Sequence, residues 1–594
     1  MRDERADRID WRLLLAFWLV SVIGLTLRSI YGGMPLIADT DDAMRLVEVH
    51  DFLAGQGWYD LTQYRLDTPY GGSMHWSRLV DLPIALLITV LRPLFGVAAE
   101  TAAAYAYPFA LLLGLLWLSA RLSMRFAGPE GMLPGLALPA FSLITLTDFS
   151  PGRFDHHSVQ VLLLLVLALC TIEALERPRR AIGAGIAAGA AIAIGIESLP
   201  GVVSAILAFG LLWVLDGRHA TALRYFGLGF GGATLLFLGL ALPPAQWFSP
   251  ACDAISIVYA APAVGTGLAF VVLSFTPLRT PLRRLAAGVM AGGALVALLV
   301  ALFPQCLRGP YAALDPWLVD NWLDRIREAQ PLIVALGDNP VFVVAVTVPA
   351  LLALGVAIWQ LFAAPAATRQ KWITYAAFLV VALLVACIQL RAIRFANCLA
   401  VPAGAVLIVA VRAAYLRRAG IGSTAGLVGS WLGFAGVALA LLTGLVLAVT
   451  SAGTVGTGFA AQPADASCRR PEAFAALALL PPVRIMTPID LGAHMLLFTP
   501  HSVVSAPYHR NQDGVRDTFR FFNEPIEAAR VILLSRGIEL VVVCPGMPEL
   551  DNIPDAAPDS FARLLREDRL PDWLDETSPP GSTLRVFRVE GTQI

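Results

Sequence analysis

The sequence is poor in charge, in lysine and in paired cysteines. Of its 594 residues only 15% are Asp, Glu, Lys or Arg, 57% are hydrophobic, and mean hydropathy is +0.69. A soluble globular protein is closer to half apolar and a quarter charged, so this deficit points to membrane solvent. The net charge of −1 excludes the strongly basic surface that binds nucleic acid. Lys371 is the single lysine, so basic charge here means arginine. The seven cysteines form no CxxC pair, which excludes the usual zinc and redox motifs. Cys170, Cys387 and Cys398 lie in apolar segments and read as small core residues. No small-residue cleavage site follows the first apolar stretch after Arg12, so that stretch is expected to be a retained anchor.

What the chain has in quantity is long apolar runs. Runs of roughly 17–25 residues span a bilayer as helices. They fall near 13–30, 101–120, 131–148, 157–175, 181–197, 199–215, 222–243, 254–275, 285–303, 341–363, 372–390, 396–412 and 425–450. Arginine then sets orientation. Arg2, Arg5, Arg8 and Arg12 place the N-terminus in the cytoplasm. Every second connection after that is basic: Arg121 and Arg125, Arg177 to Arg180, Arg218 and Arg224, Arg279 to Arg284, Arg369 and Lys371, Arg412 to Arg418. Counting 82–98 as a further span would invert that pattern, so it is expected to lie at the outer interface. The expectation is a polytopic α-helical protein of the bacterial inner membrane with about thirteen transmembrane helices in residues 1–450. Its outer loops are 31–100, 149–157 and 304–340, and 451–594 forms an extracytoplasmic α/β domain behind a Gly/Thr/Ala/Ser-rich linker. In that domain 538–543 reads as a buried strand, and 525–535 and 559–567 as helices. Cys252, Cys306, Cys468 and Cys544 then lie outside, where the pairs Cys252–Cys306 and Cys468–Cys544 are open as disulfides.

Four polar clusters sit at outer span ends. Asp39-Thr40-Asp41-Asp42 carries three carboxylates in four residues, which repel unless a cation or arginine neutralises them; a solvated acidic loop or a helix N-cap is the plainer reading. Asp155 and His157, in Gly152-Arg153-Phe154-Asp155-His156-His157, are spaced to face one cation from extended backbone, and ionisable groups at a membrane boundary are costly and usually functional. Asp324-Arg325-Ile326-Arg327-Glu328 before Pro331 reads on its own as an amphipathic surface helix. Arg391 and Arg394 stand on the outer side against the positive-inside trend, and either a phosphate or lipid headgroups would answer them. Of the eight histidines, only His157 has a carboxylate at useful spacing in a tight loop.

In this order the clusters resemble the catalytic subunits of oligosaccharyltransferases, of the GT-C glycosyltransferase fold. The resemblance runs from about residue 13 to 545. It implies that Asp39 (or Asp41 or Asp42), Asp155, His157 and Glu328 hold a divalent metal, Mn²⁺ or Mg²⁺. It also implies that Arg394 binds the donor phosphate and that Asp39 or Glu328 serves catalysis at the acceptor. The family's Trp-Trp-Asp-Tyr-Gly signature has its counterpart in Thr487-Pro488-Ile489-Asp490-Leu491-Gly492, which makes Asp490 the acceptor-binding candidate. Both tryptophans and the tyrosine are missing there, so the resemblance implies glycosyl transfer more strongly than recognition of an N-glycosylation sequon. The expected partners are a polyprenyl-(pyro)phosphate-linked sugar or glycan, a protein or glycan acceptor, and the bilayer. Two rivals remain: an inactive scaffold of envelope-glycan assembly, and a transporter. A transporter would place charges midway along spans with internal pseudo-symmetry, whereas Glu173 and Glu197 lie near span ends.

Overall fold

The computed structural model describes residues 8–450, 463–545, 547, 550 and 556–590; the expected linker and the arginines Arg2 and Arg5 lie outside them. Ten helices among these residues are long and apolar enough to cross a membrane, eleven if one bent pair is a single span. Most coincide with the runs read from sequence, from Trp11–Tyr31 to Leu390–Arg417. Three expected spans take another form. Residues 131–148 split into Met132–Ala140 and Leu143–Asp148, with Pro139 ahead of the break and Ser142 capping the second helix through Ile144 N–H. Residues 181–197 give the 15-residue helix Arg180–Ile194, ended at Gly195. Residues 425–450 give Ile421–Phe434 and Gly436–Thr450, bent by 94°.

Two of these breaks meet. The Phe141 carbonyl, freed by the first break, accepts from Val437 N–H just past the second at 2.9 Å. Asn397 joins them, paired with Ser142 Oγ (2.7 Å) and donating to the Val346 carbonyl (2.9 Å). Backbone polar groups freed within apolar surroundings need such internal partners.

The helix His157–Ala174 runs between two polar ends. At one end Glu173, buried, receives Arg121, Arg125 and Arg180, and Lys371 pairs with Glu176 nearby. The basic connections therefore gather at that end. His157 is about 24 Å away at the other end, given a rise of about 1.5 Å per residue, and every polar cluster of interest lies there. The helix Arg78–Phe95 buries Val80, Ile84 and Ile88 on one face, then passes through Gly96 (φ +56°) into Ala99–Ala127.

The C-terminal segment forms a five-stranded sheet in the order Ser502–Val503, Arg484–Met486, Leu540–Val543, Arg585–Val589, Leu574–Glu576. The first three strands are parallel and the last two antiparallel. Leu540–Val543 is buried throughout, as its unbroken apolar run foretells. The helices Ile526–Arg536 and Phe561–Arg566 stand where the pattern put them. The open edge of the sheet is covered by the first loop: Val503 N–H donates to the Arg65 carbonyl and Thr68 N–H to the Val503 carbonyl. Arg536, almost fully buried, ties the same loop down through Asp67 and Asp517 (2.9 and 2.8 Å). Both open cysteine pairs, Cys252–Cys306 and Cys468–Cys544, are disulfide-bonded.

His494, fully buried in the helix Ile489–Phe498, bonds the Ile37 carbonyl at 3.2 Å and so fastens this segment to the start of the first loop. Burial, helped by nearby Arg469, drops its pKa to about 4. The unfolded histidine, near the ordinary 6.5, therefore binds its proton first, and stability is lost as pH falls from there toward 4. Acidification from pH 7 to 5 is expected to cost roughly 2 kcal/mol through this group. Thermal unfolding of the detergent-solubilised protein at both pH values checks this: His494→Gln should flatten the profile, and parallel profiles would refute the assignment.

Candidate functional site

The site is built around Arg153. Its guanidinium meets Asp39 Oδ2 at 2.7 Å, Asp42 Oδ2 at 2.8 Å and Asp155 Oδ2 at 3.7 Å. Asp42 also accepts the backbone N–H of Phe154 (2.7 Å) and of Asp155 (2.9 Å), so the second outer loop is strapped to the first. Gly152 (φ +85°) permits the turn, and a Cβ there would lie 1.8 Å from the Leu36 carbonyl oxygen. Asp39 caps the helix Thr40–Leu53 through Asp41 N–H and keeps its carboxylate half exposed. Burial works to raise the pKa of Asp39, but contact with Arg153 outweighs it and the net shift is downward. Asp42 is deeper, and burial pushes it up to about 7 in spite of Arg153. Asp41 is driven well above the usual carboxylate range by burial and by the charges of Asp155 and Asp39.

Asp155, His156 and His157 are each more than nine-tenths buried, and each offers one ligand atom within 4.8 Å of the others. His156 Nδ1 lies 2.5 Å from Asp155 Oδ1, and His157 Nε2 3.2 Å from Asp155 Oδ2. His157 Nδ1 faces Gln160 Oε1 (3.0 Å), and Gln160 Nε2 donates to Glu197 Oε2 (3.0 Å). Burial opposes the charge on Asp155, yet His156, His157 and Arg153 overcome it and hold the carboxyl well below its usual range. Burial likewise opposes the charge on His156, yet Asp155 and Glu197 push it up to about 10. Asp155 Oδ2 is buried and accepts no hydrogen bond among the described residues. An orphaned carboxylate oxygen beside two imidazoles fits a divalent cation, and its mixed O and N donors suit Mn²⁺ and admit Mg²⁺. The trio adds His156 to the pair that spacing suggested.

Glu328 and Arg394 meet beside this cluster. Arg394 Nη2 lies 3.5 Å from Glu328 Oε2, and its Nη1 3.4 Å from Asp148 Oδ2. The amphipathic helix suggested for 324–331 does not form: a short 3-10 turn Leu323–Arg325 leads into irregular backbone. Its carbonyls are used instead, Glu328 accepting from Arg391 N–H and Gln330 from Leu390 N–H. A cavity of about 870 Å³ opens here, walled by Asp39, Asp42, Arg153, Glu328, Arg391 and Arg394, with Arg28, Arg469 and Arg470 on the far side. Asp39 and Asp155 thus meet through Arg153, with His157 paired to Asp155, while Glu328 and Arg394 form a second group with Asp148 on the wall of the same cavity as Asp39 and Arg153. Asp39 and Glu328 are outside the tight Asp155–His156–His157 group. Asp490, at the first turn of Ile489–Phe498, belongs to neither cavity wall. Its neighbour Ile489 shares a buried apolar cluster with Leu318 and Trp322 of the 304–340 loop, the fifth loop of the family plan. Sequence reasoning assigned no role to Asp148, Arg153, His156, Gln160 or Glu197. The available signal was their position as ionisable or amide groups at span ends.

No family model and no curated protein matches the sequence. Solved structures do match. The archaeal oligosaccharyltransferase AglB from Archaeoglobus fulgidus, in complex with an inhibitory peptide and a dolichol-phosphate, aligns with TM-score 0.66 and 11% identity, over 98% of this chain and 74% of that one. The Archaeoglobus fulgidus oligosaccharyltransferase tethered to an acceptor peptide containing the NVT sequon aligns with TM-score 0.65 and 13% identity, over 98% and 74%. Its complex with Zn and sulfate gives 0.60 and 14%, over 90% and 68%. The chain therefore carries the GT-C fold. Within that fold its arrangement is that of the oligosaccharyltransferase structures, with a C-terminal α/β region after the spans.

Replacing Arg153 by Met removes the cation that three carboxylates share. Asp39 and Asp42 then lose the contact that opposes their burial and their folded pKa values rise, so the variant's deficit shrinks as pH falls. Its deficit against wild type is expected to be about 3 kcal/mol at pH 8 and smaller at pH 5, read as unfolding midpoints. A gap independent of pH would mean that Arg153 acts through packing alone.

Proposed function

We propose that the protein transfers a sugar or glycan from a polyprenyl-(pyro)phosphate donor to an acceptor on the extracytoplasmic face of the bacterial inner membrane. The observation that carries this reading is the gathering of Asp39, Asp42, Arg153, Glu328 and Arg394 on one cavity, with the Asp155–His156–His157 group joined to it through Arg153, in a GT-C fold. The likeness to AglB, solved with a dolichol-phosphate and with peptides, supports a lipid-linked donor and admits a peptide acceptor. The two disulfides support an oxidising, extracytoplasmic setting for the loops that carry them, and with it a cytoplasmic N-terminus.

Arg394 and Arg391 bind the donor's phosphate oxygens, a task suited to guanidinium geometry. As the bond between the anomeric carbon and the phosphate oxygen breaks, its electron pair leaves with the phosphate. The acceptor heteroatom bonds to the anomeric carbon and gives up its proton to Asp39 or Glu328. Asp155, His156 and His157, with Asp39 linked to them through Arg153 and Glu328 within electrostatic reach of His157, would hold Mn²⁺ or Mg²⁺, which supplies Lewis-acid stabilisation of the charge on the leaving phosphate. His156 carries a proton without the metal, so binding releases it and affinity weakens in acid. Asp490 has no place at the cavity wall, and the acceptor class is left to the product.

The test is transfer in membranes from a labelled polyprenyl-linked donor, with Mn²⁺ or EDTA. Asp155→Ala, expressed at the wild-type level, should lose about a hundredfold or more, and EDTA should abolish transfer. Equal rates in all arms, with a donor shown to be competent, would leave the scaffold reading. The labelled product identifies the acceptor as protein or glycan.

A further inference from the structure

A second cavity of about 200 Å³ is lined by His156. Its wall includes Trp76, His156, Glu197, Gln246, Asp253 and Arg510, drawn from five separated stretches of chain. We infer that this cavity is the subsite for the first sugar ring of the donor, the ring attached to phosphate. The inference rests on the glycosyl-transfer reading and deepens it.

Position is the first argument. Glu197 lines the smaller cavity, and its Oε1 stands 4.0 Å from Arg391, on the wall of the larger one. The two cavities are therefore neighbours across this pair. A donor phosphate on Arg391 and Arg394 leaves its sugar beside Glu197, with the anomeric carbon next to the Asp155–His156 edge. Size is the second: the volume has room for one pyranose ring but not for an oligosaccharide, so further sugars would leave through the mouth formed by Gln246 and Ser249, both exposed.

Chemistry is the third argument. Sugar hydroxyls both donate and accept, and the wall offers both functions: the Glu197 and Asp253 carboxylates accept, while the Gln246 amide and Arg510 donate. His75 also borders the cavity, and its Nδ1 is buried without a hydrogen-bond partner among the described residues. A buried polar atom of this kind calls for a partner, and a ligand hydroxyl supplies one.

The wall is also pre-built. Asp253 is gripped by His509 (2.7 Å) and Arg510 (2.6 Å), next to the Cys252–Cys306 disulfide. Glu197 is set by Gln160, and the space they share exists because residue 195 is glycine. A Cβ there would lie 2.4 Å from Gln160 Nε2 and 2.6 Å from Glu197 Oε2. Gly195→Ala must displace this pair, whereas Gln246→Ala removes one amide at an exposed mouth and leaves packing untouched.

The experiment is equilibrium binding to the full-length protein in detergent. The probes are bare polyprenyl phosphate and polyprenyl phosphates carrying a single hexose, N-acetylhexosamine or pentose. Wild type should bind at least one glycosylated probe about tenfold more tightly than the bare one, the worth of one or two net hydrogen bonds. Gln246→Ala and Gly195→Ala should shrink that ratio, and Gln246→Ala should leave the affinity for bare polyprenyl phosphate unchanged. A wild-type ratio of one, or a ratio that survives both substitutions, overturns the subsite while leaving the transfer reading standing. Failure of wild type to bind any polyprenyl phosphate overturns both.

Discussion

Three carboxylates from two loops are held within reach of one guanidinium, and the rest of the site follows from that neutralisation. Asp39, Asp42 and Asp155 would repel one another at this separation and in this degree of burial. Arg153 removes that cost and, because it sits in the second loop while two of its partners sit in the first, also fixes the distance between the loops. Asp42 completes the strap by accepting two backbone N–H groups, so the turn before His156 has little freedom. His156 and His157 then open a buried helix that points its first turn at the cluster. Charge compensation and backbone geometry solve one problem together.

Much of this was legible in the sequence, and what was not has definite reasons. Apolar run length located the spans well, because a bilayer imposes a minimum length on any helix that crosses it. It failed at 131–148 and 425–450, where Phe141 and Gly436 mark breaks whose backbone groups satisfy each other across the bundle. That pairing is tertiary and leaves no periodic trace. Spacing within the second loop found Asp155 and His157 but missed His156, whose part depends on the turn at Gly152. Glu328 was recognisable only by resemblance, and its support comes from hydrogen bonds to residues 390 and 391, more than sixty positions away. Arg153 stood in the quoted motif without a role, since its partners lie over a hundred residues earlier.

The absent tryptophans of the acceptor signature also have a structural counterpart. Where Thr487-Pro488-Ile489-Asp490 stands, Thr487 and Ile489 are buried, and Ile489 is covered by apolar side chains of the fifth loop, Leu318 and Trp322. The C-terminal segment uses this corner to hold the loop that carries Glu328. A position free to read a ligand and a position committed to packing are different uses of the same turn.

The platform that carries the site is closed by contacts of very long range. The C-terminal segment grips the first loop through Arg469 on the Ala38 carbonyl, Tyr508 on the Thr40 carbonyl, and Arg510 on the Met74 carbonyl. The residues that meet were made at opposite ends of translation. The first loop is made early and waits, with the sheet-capping backbone of Arg65 and Thr68 and the Ile37 carbonyl without their partners, while every helix between is made. Closure of the platform thus comes late, and a chain that stops short of its last hundred or so residues leaves the polar groups of the first loop uncovered.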